Sequence, residues 1–161
     1  MGNLISGQDA VFMMEALVEA EAAAARGDYG IGAVVVHDGK IISRAGNRII
    51  SSGGFQWQHA ENLALRQIES TNHFKSPLVR ELSVYTTLGP CPQCWGTLLV
   101  RGIGKIVIGT EDSLARPDYK NIPKIFIASA PERVFLEGKA EEECREIFWG
   151  TKEALDRKLG F

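Results

Sequence analysis

His59-Ala60-Glu61 and Pro90-Cys91-Pro92-Gln93-Cys94 carry the residue types of this chain best suited to chemistry. An imidazole and two thiolates are good zinc ligands; they fill three tetrahedral positions and leave the fourth for water. Zinc lowers the pKa of such a water toward ~7, so hydroxide is available at neutral pH. Glu61 lies two residues from His59, close enough to accept the water's proton and pass it on. Three protein ligands plus water is a catalytic stoichiometry, whereas a structural zinc takes four.

Two other readings compete. Cys91-x-x-Cys94 is also the spacing of a thioredoxin-like redox pair, but His-x-Glu stands at a compatible distance and Gly89-Pro90 precedes the pair. A structural zinc would need Cys144 as fourth ligand. That residue falls in an amphipathic helical pattern, where burial as a small apolar group is the simpler role. His37 and His73 have no partner pattern and read as turn or surface histidines.

The elements that must position these groups alternate. Asp9 to Arg26 is predicted helical, with Asp9 as cap and Gly27 as stop. Gly30 to His37 suits a buried strand, Asp38-Gly39 a hairpin turn, and Lys40 to Ala45 the returning strand. Gly46 to Gln58 reads as a loop centred on Ser51-Ser52-Gly53-Gly54. His59 to Ser70 has helical spacing, Leu82 to Thr87 is a third strand, Pro92 to Arg101 a helix, and Lys105 to Thr110 a fourth strand. Residues 122–130 fit a short helix or a strand. Arg133 to Glu137 reads as a short strand and Lys139 to Lys158 as the last helix. Both halves of the metal constellation thus open helices after strands, where the helix dipole favours thiolates. The order implies an α/β layered sheet with helices on both faces, in one domain over residues 1–161.

Composition fits that picture. Apolar residues make up 45% and charged residues 24% of the 161. No apolar run approaches the ~20 residues of a membrane span, and the N-terminus lacks the pattern of a secretory signal, so a cytoplasmic setting is expected. An odd count of three cysteines speaks against a disulfide framework. The net charge of −2 and the lack of a dense Lys/Arg cluster in the sequence make a nucleic-acid partner unlikely and favour a small-molecule substrate.

His-x-Glu with Pro-Cys-x-x-Cys is the signature of zinc-dependent nucleobase deaminases. On these motifs the chain resembles the cytidine and deoxycytidylate deaminase superfamily over nearly its whole length. The likeness extends to the leading helix, the Gly32-Ala33-Val34-Val35-Val36 hairpin, Asn47 after the second strand, and Val84 to Cys91. It implies a three-layer α-β-α cytidine-deaminase-like fold with a central five-stranded mixed sheet. It implies zinc as cofactor, with His59, Cys91 and Cys94 as ligands and Glu61 as catalytic proton shuttle. A homodimer is the analogy-based expectation, with the Trp95–Gly102 helix as interface.

The resemblance also implies roles around the substrate. Asn47 would hydrogen-bond a ring carbonyl, and backbone groups at Ala60, Gly89 and Cys91 would line the pocket. By its position alone, Asp112 after the fourth strand stands where α/β sheets place ligand contacts, and it fits equally a contact to a base N–H or the cap of a turn. Trp57 and Trp95, with Phe55, are candidates to stack on a planar ring; Phe148 and Trp149 fit either a cover over the pocket or the core, with the core the first expectation. Tyr85-Thr86-Thr87-Leu88 looks like fungal-type cytosine deaminases, whereas His59-Ala60-Glu61 and Ala64-Leu65-Arg66 look like guanine and tRNA adenosine deaminases. The chain departs from these relatives where Gly89 replaces Glu, Gln93 replaces Met, Trp95 and Gly96 replace small residues, and Gly30 replaces Pro.

The expected activity is hydrolytic deamination of a free base or small aminated heterocycle, cytosine first and guanine or a related amino-purine or triazine second. A tRNA adenosine deaminase is the alternative and needs a basic groove. A non-catalytic zinc-stabilised binding domain is the reading from another class; it does not call for Glu61.

Overall fold

The computed structural model describes residues 7–55, 57–71, 78–111 and 132–159. Asp112, His73 and the ambiguous stretch 122–130 lie outside these residues.

The hairpin comes first. β1 (Gly32–His37) and β2 (Lys40–Gly46) pair antiparallel, and the turn between them has Asp38 and Gly39 both at positive φ, 49° and 70°. Two positive φ values make the I′ turn that matches strand twist. β3 (Ser83–Leu88) pairs antiparallel with β1. β4 (Lys105–Thr110) and β5 (Glu132–Phe135) then add in parallel, giving the order β2-β1-β3-β4-β5. The sheet is five-stranded and mixed, as expected from sequence.

Alternation along the strands sorts the helices into two layers. Ala33 and Val35, Val84, Ile106 and Ile108 share one apolar cluster with α2 (Ala60–Ile68) and α3 (Pro92–Arg101). Val34 and Val36, Tyr85 and Val107 face the other way. They pack with α1 (Gly7–Ala25) and α4 (Lys139–Leu159). Helices therefore cover both faces, which is why the central strands read as continuous apolar runs.

Asp9 does not cap α1. The helix starts at Gly7, and Asp9 is buried, accepting Tyr85 Oη–H at 2.7 Å and Lys105 Nζ–H at 2.8 Å. It ties α1 to β3 and β4. Gly32 and Gly46, partners in the β1–β2 register, let α1 lie close: a Cβ at Gly32 would stand 2.0 Å from Ala16 O, and one at Gly46 2.5 Å from Glu19 O. This close approach sets where the chain leaves β2, one residue before Asn47.

Candidate active site

His59 and Cys91 occupy equivalent places. Each is the N-cap of its helix, His59 of α2 and Cys91 of α3, with extended backbone and no side-chain capping bond. Their side chains are free to point elsewhere, and both helix N-termini face the same point. Pro92 at the start of α3 costs nothing there, because its missing N–H is one the helix leaves unpaired.

His59 Nδ1 lies 3.5 Å from Cys91 Sγ and 3.4 Å from Cys94 Sγ, and the three ligand atoms all fall within 4.8 Å of one another. Zinc bonds of about 2.0–2.1 Å to nitrogen and 2.3 Å to sulfur, at the tetrahedral angle, separate N from S by roughly 3.5–3.6 Å. The observed edges are those of a zinc tetrahedron. Charge points the same way. Hydrogen bonds donated by Cys94 and, less strongly, by His59 push the Cys91 thiol down to about 4. The Cys94 thiol is pushed up by Cys91 and by burial. Protons alone thus let one thiol ionise, and a divalent cation satisfies both. Cys144 takes no part. It is buried between the sheet and α4, its Sγ packed against Gly109, so a four-ligand structural site does not form among the described residues.

Glu61 is in the first turn of α2 and buried. Burial pushes its carboxyl above the ordinary range, opposed by its own backbone N–H and the nearby His59. Thr86 Oγ1 lies 3.4 Å from Glu61 Oε1 and 3.0 Å from Leu88 O. With its proton given to Leu88 O, Thr86 Oγ1 is left as an acceptor for a protonated Glu61. The carboxyl therefore has a partner in both protonation states.

A cavity of about 240 Å³ opens over these groups. His59, Glu61, Cys91 and Gly89 form one wall, and Asn47, Ile49, Tyr29 and Ile31 another. Asn47 is 1% exposed; its Oδ1 accepts Ile49 N–H at 3.0 Å, and its Nδ2 is buried without a protein partner. Its place in the chain is fixed by Asn47 N–H donating to Ile31 O at 2.8 Å and by Arg26 Nη2 donating to Asn47 O at 3.0 Å. A Cβ at Gly89 would meet nothing nearer than 3.7 Å, so packing does not demand glycine there. Its bare backbone leaves that wall open.

Several expected contacts are elsewhere. Trp95 is 4% exposed and sits in the core with Leu98 and Leu99, on the same face of α3 (i, i+3, i+4); it does not line the cavity. The apolar spacing of α3 already carried that signal. Trp57 is 70% exposed on the loop before α2 and lies outside the cavity lining, as does Phe55. Ala60 belongs to the core. Phe148, expected in the core, is buried and yet lines the cavity, with Trp149 edge-on to it at 5.2 Å.

Sequence reasoning missed what accompanies Phe148. Lys152 and Asp156 follow it at steps of four on α4, form an ion pair, and line the cavity too. That stripe lies on one helix face. Gly30 explains why α4 reaches the pocket. Gly30 N–H donates to Thr151 Oγ1 at 2.8 Å, and a Cβ at Gly30 would stand 2.7 Å from Ile147 O. Proline, which the resemblance leads one to expect here, has no N–H to give. This also explains why β1 begins at Gly32 rather than Gly30.

The comparisons agree with this geometry. The profile of the cytidine and deoxycytidylate deaminase zinc-binding region matches residues 6–110. A chloroplastic tRNA(adenine(34)) deaminase of Arabidopsis thaliana is 38% identical over 110 residues, 68% of this chain and 8% of that protein. A tRNA-specific adenosine deaminase of Bacillus subtilis is 35% identical over 105 residues, 65% of this chain and 63% of that protein. The matched stretch is thus under two thirds of either relative's length. Among solved structures, one from a study of A-to-I editing by tRNA:A34 deaminases superposes with a TM-score of 0.69 at 31% identity. It covers 85% of this chain and 98% of that one.

Proposed function

The chain belongs to the cytidine and deoxycytidylate deaminase family, and on that premise we propose that it is a zinc-dependent hydrolytic deaminase of adenosine in RNA, with tRNA as the first candidate. The observation that carries the chemistry is the convergence of His59 Nδ1, Cys91 Sγ and Cys94 Sγ at zinc-site spacing beside buried Glu61. The tRNA substrate is supported by the names of the two curated relatives and by the solved A34 deaminase. This reading replaces the expectation that nucleic acid is an unlikely partner, and it ranks the cytosine and guanine readings second.

When bound, zinc supplies an activated water at its open fourth position. Glu61 takes a proton from the water that adds to the ring carbon bearing the amine. It gives that proton to the neighbouring ring nitrogen, then carries the second to the amine, which leaves as ammonia. A ring carbonyl remains. Thr86 Oγ1 holds Glu61 in place through the exchange. Asn47 Nδ2 offers a donor to an acceptor on the base edge, and leaving it unpaired would penalise a base without one. The cavity, about 240 Å³, is below the ~300–1,000 Å³ of drug-sized ligand sites and suits one extruded base.

A free aminated heterocycle is the second reading. It is favoured by Phe148, Lys152 and Asp156, which close the cavity from the protein's own α4 without need of an RNA wall. Ammonia release and inosine formation from an anticodon stem-loop with a wobble adenosine, measured beside free bases and nucleosides, separate the two. Turnover of a free base with none of the stem-loop would sink the RNA reading. No turnover of anything by zinc-loaded protein would leave the non-catalytic binding domain.

A further inference from the structure

Beside the cavity is a surface that the deamination chemistry does not use. The segment between β2 and α2 folds back on itself. Arg48 N–H donates to Gln58 O at 2.9 Å, Gly54 N–H to Ile49 O at 2.8 Å, and Gln58 N–H to Phe55 O at 3.0 Å. These bonds consume the backbone and leave two aromatic rings outside: Trp57 is 70% and Phe55 63% exposed.

The Arg48–Gln58 bond also sets the backbone next to Trp57 beside Arg48. Arg48, in the loop after β2, lines a groove of about 380 Å³ together with Arg26 from the turn after α1, Arg44 from β2 and Arg66 from α2. Arg26 is engaged by Asp28, and Arg44 by Glu15 and Glu19. Arg48 and Arg66 are exposed residues and form no ion pair with the described residues. Two free guanidiniums beside two exposed aromatics is a combination that suits a phosphodiester strand with unpaired bases. Aromatic faces stack on bases of any sequence, and planar guanidinium forks match phosphate oxygens.

We propose that this surface is a platform for single-stranded RNA. Trp57 and Phe55 stack on unpaired bases flanking the one that enters the cavity, and Arg48 and Arg66 hold the backbone phosphates. The proposal rests on the RNA-deaminase reading for its natural ligand, and it is tested without deamination.

The probe is a fluorescein-labelled, single-stranded oligouridylate of about twelve nucleotides, whose bases carry no amine to remove. Binding to the zinc-loaded full chain is followed by anisotropy at several salt concentrations. Each of Trp57→Ala and Phe55→Ala is expected to weaken binding by between about fivefold and about 150-fold, the range for losing one stacked base. Trp57→Phe retains most of the affinity. The double variant Arg48→Ala/Arg66→Ala is expected to flatten the plot of log K against log salt by roughly 1.4, two single-strand phosphate contacts. Unchanged affinity in both aromatic variants, or an unchanged salt slope in the arginine variant, overturns the platform. So does a shift of Trp57→Ala from dimer to monomer in sedimentation with oligouridylate affinity unaltered, which would make the patch a contact between copies. If oligouridylate binds as expected but no adenosine in RNA is deaminated, the substrate reading falls and the platform stands. Deaminated RNA with indifferent platform variants means the reverse.

Discussion

Asn47 accepts the Ile49 N–H with its side-chain Oδ1 at 3.0 Å, and so keeps its amide nitrogen free in the wall of the cavity. The Ile49 N–H can only donate, so the amide is oriented by the protein before any substrate arrives. The site therefore presents a donor, which under the proposed function selects a base edge that accepts.

Asn47→Asp keeps the acceptor for Ile49 and turns the free donor into an acceptor. We expect kcat/KM on the preferred substrate to fall at least about 10- to 100-fold, the cost of one mismatched buried polar contact. Zinc content should stay at the wild-type level. Steady-state kinetics with metal analysis checks this, and an active Asn47→Asp would remove Asn47 from recognition.

The role proposed for Glu61 separates catalysis from metal binding. Glu61→Gln retains the buried shape and loses the proton carrier, so turnover should fall by about 10²–10⁴-fold with zinc still bound. Chelation should act differently. Removing zinc from the wild type should abolish turnover, lower the thermal midpoint and expose two thiols, Cys91 and Cys94, to a thiol reagent. Cys144 should react only on unfolding, because it is buried. A third fast thiol after chelation would contradict that placement.

Cys144 also gives a pH signature. Burial, reinforced by the charges of Glu143 and Glu141, pushes its thiol up to about 12. An exposed thiol ionises near ~8.5. The folded state therefore holds the neutral form, and its contribution is complete below about pH 8.5. As pH rises from there toward 12, the unfolded chain gains charge that the folded chain resists, and stability falls. At pH 10 the loss is about 2 kcal/mol. Urea unfolding at pH 7 and pH 10 should show this decline in the wild type and a smaller one in Cys144→Ala. Equal slopes would mean that the thiol is not held neutral.

Thr151→Val tests the docking of α4. The change removes the acceptor of the Gly30 N–H at nearly constant volume. Losing a bond of net worth about 0.5–1.5 kcal/mol should raise KM roughly 2- to 12-fold, because α4 carries the Phe148, Lys152 and Asp156 wall. Zinc content should not change. Gly30→Pro should act in the same direction and more strongly, since its ring also meets Ile147 O. A KM unchanged in both variants would detach α4 from substrate binding.

The metal half of the site was legible because its geometry is local. His59 and Glu61 share the start of α2, and Cys91 and Cys94 the start of α3. A helix start fixes the relative directions of residues two or three apart, so each half is set locally, and that the two halves meet was legible from the paired deaminase signature. The strands were legible for the same reason, with errors of one or two residues at their ends. Trp95, a stacking candidate by residue type, belongs to the core instead, because helical spacing turns it to Leu98 and Leu99.

The three candidate zinc ligands, the carboxylate proposed to carry protons and the alternation of strands with helices were thus determined by the sequence itself. Only the tertiary structure decided the walls around them. Phe148, Lys152 and Asp156 come to the cavity from a helix far along the chain, through a bond between Gly30 and Thr151. Arg26, Arg44, Arg48 and Arg66 are scattered in sequence and show no basic cluster there. Packing of α1, β2 and α2 brings them to one groove. Short-range geometry follows from backbone dihedrals and helical period, which neighbouring residues set. Long-range neighbours follow from how the sheet and helices pack, and no local pattern records that.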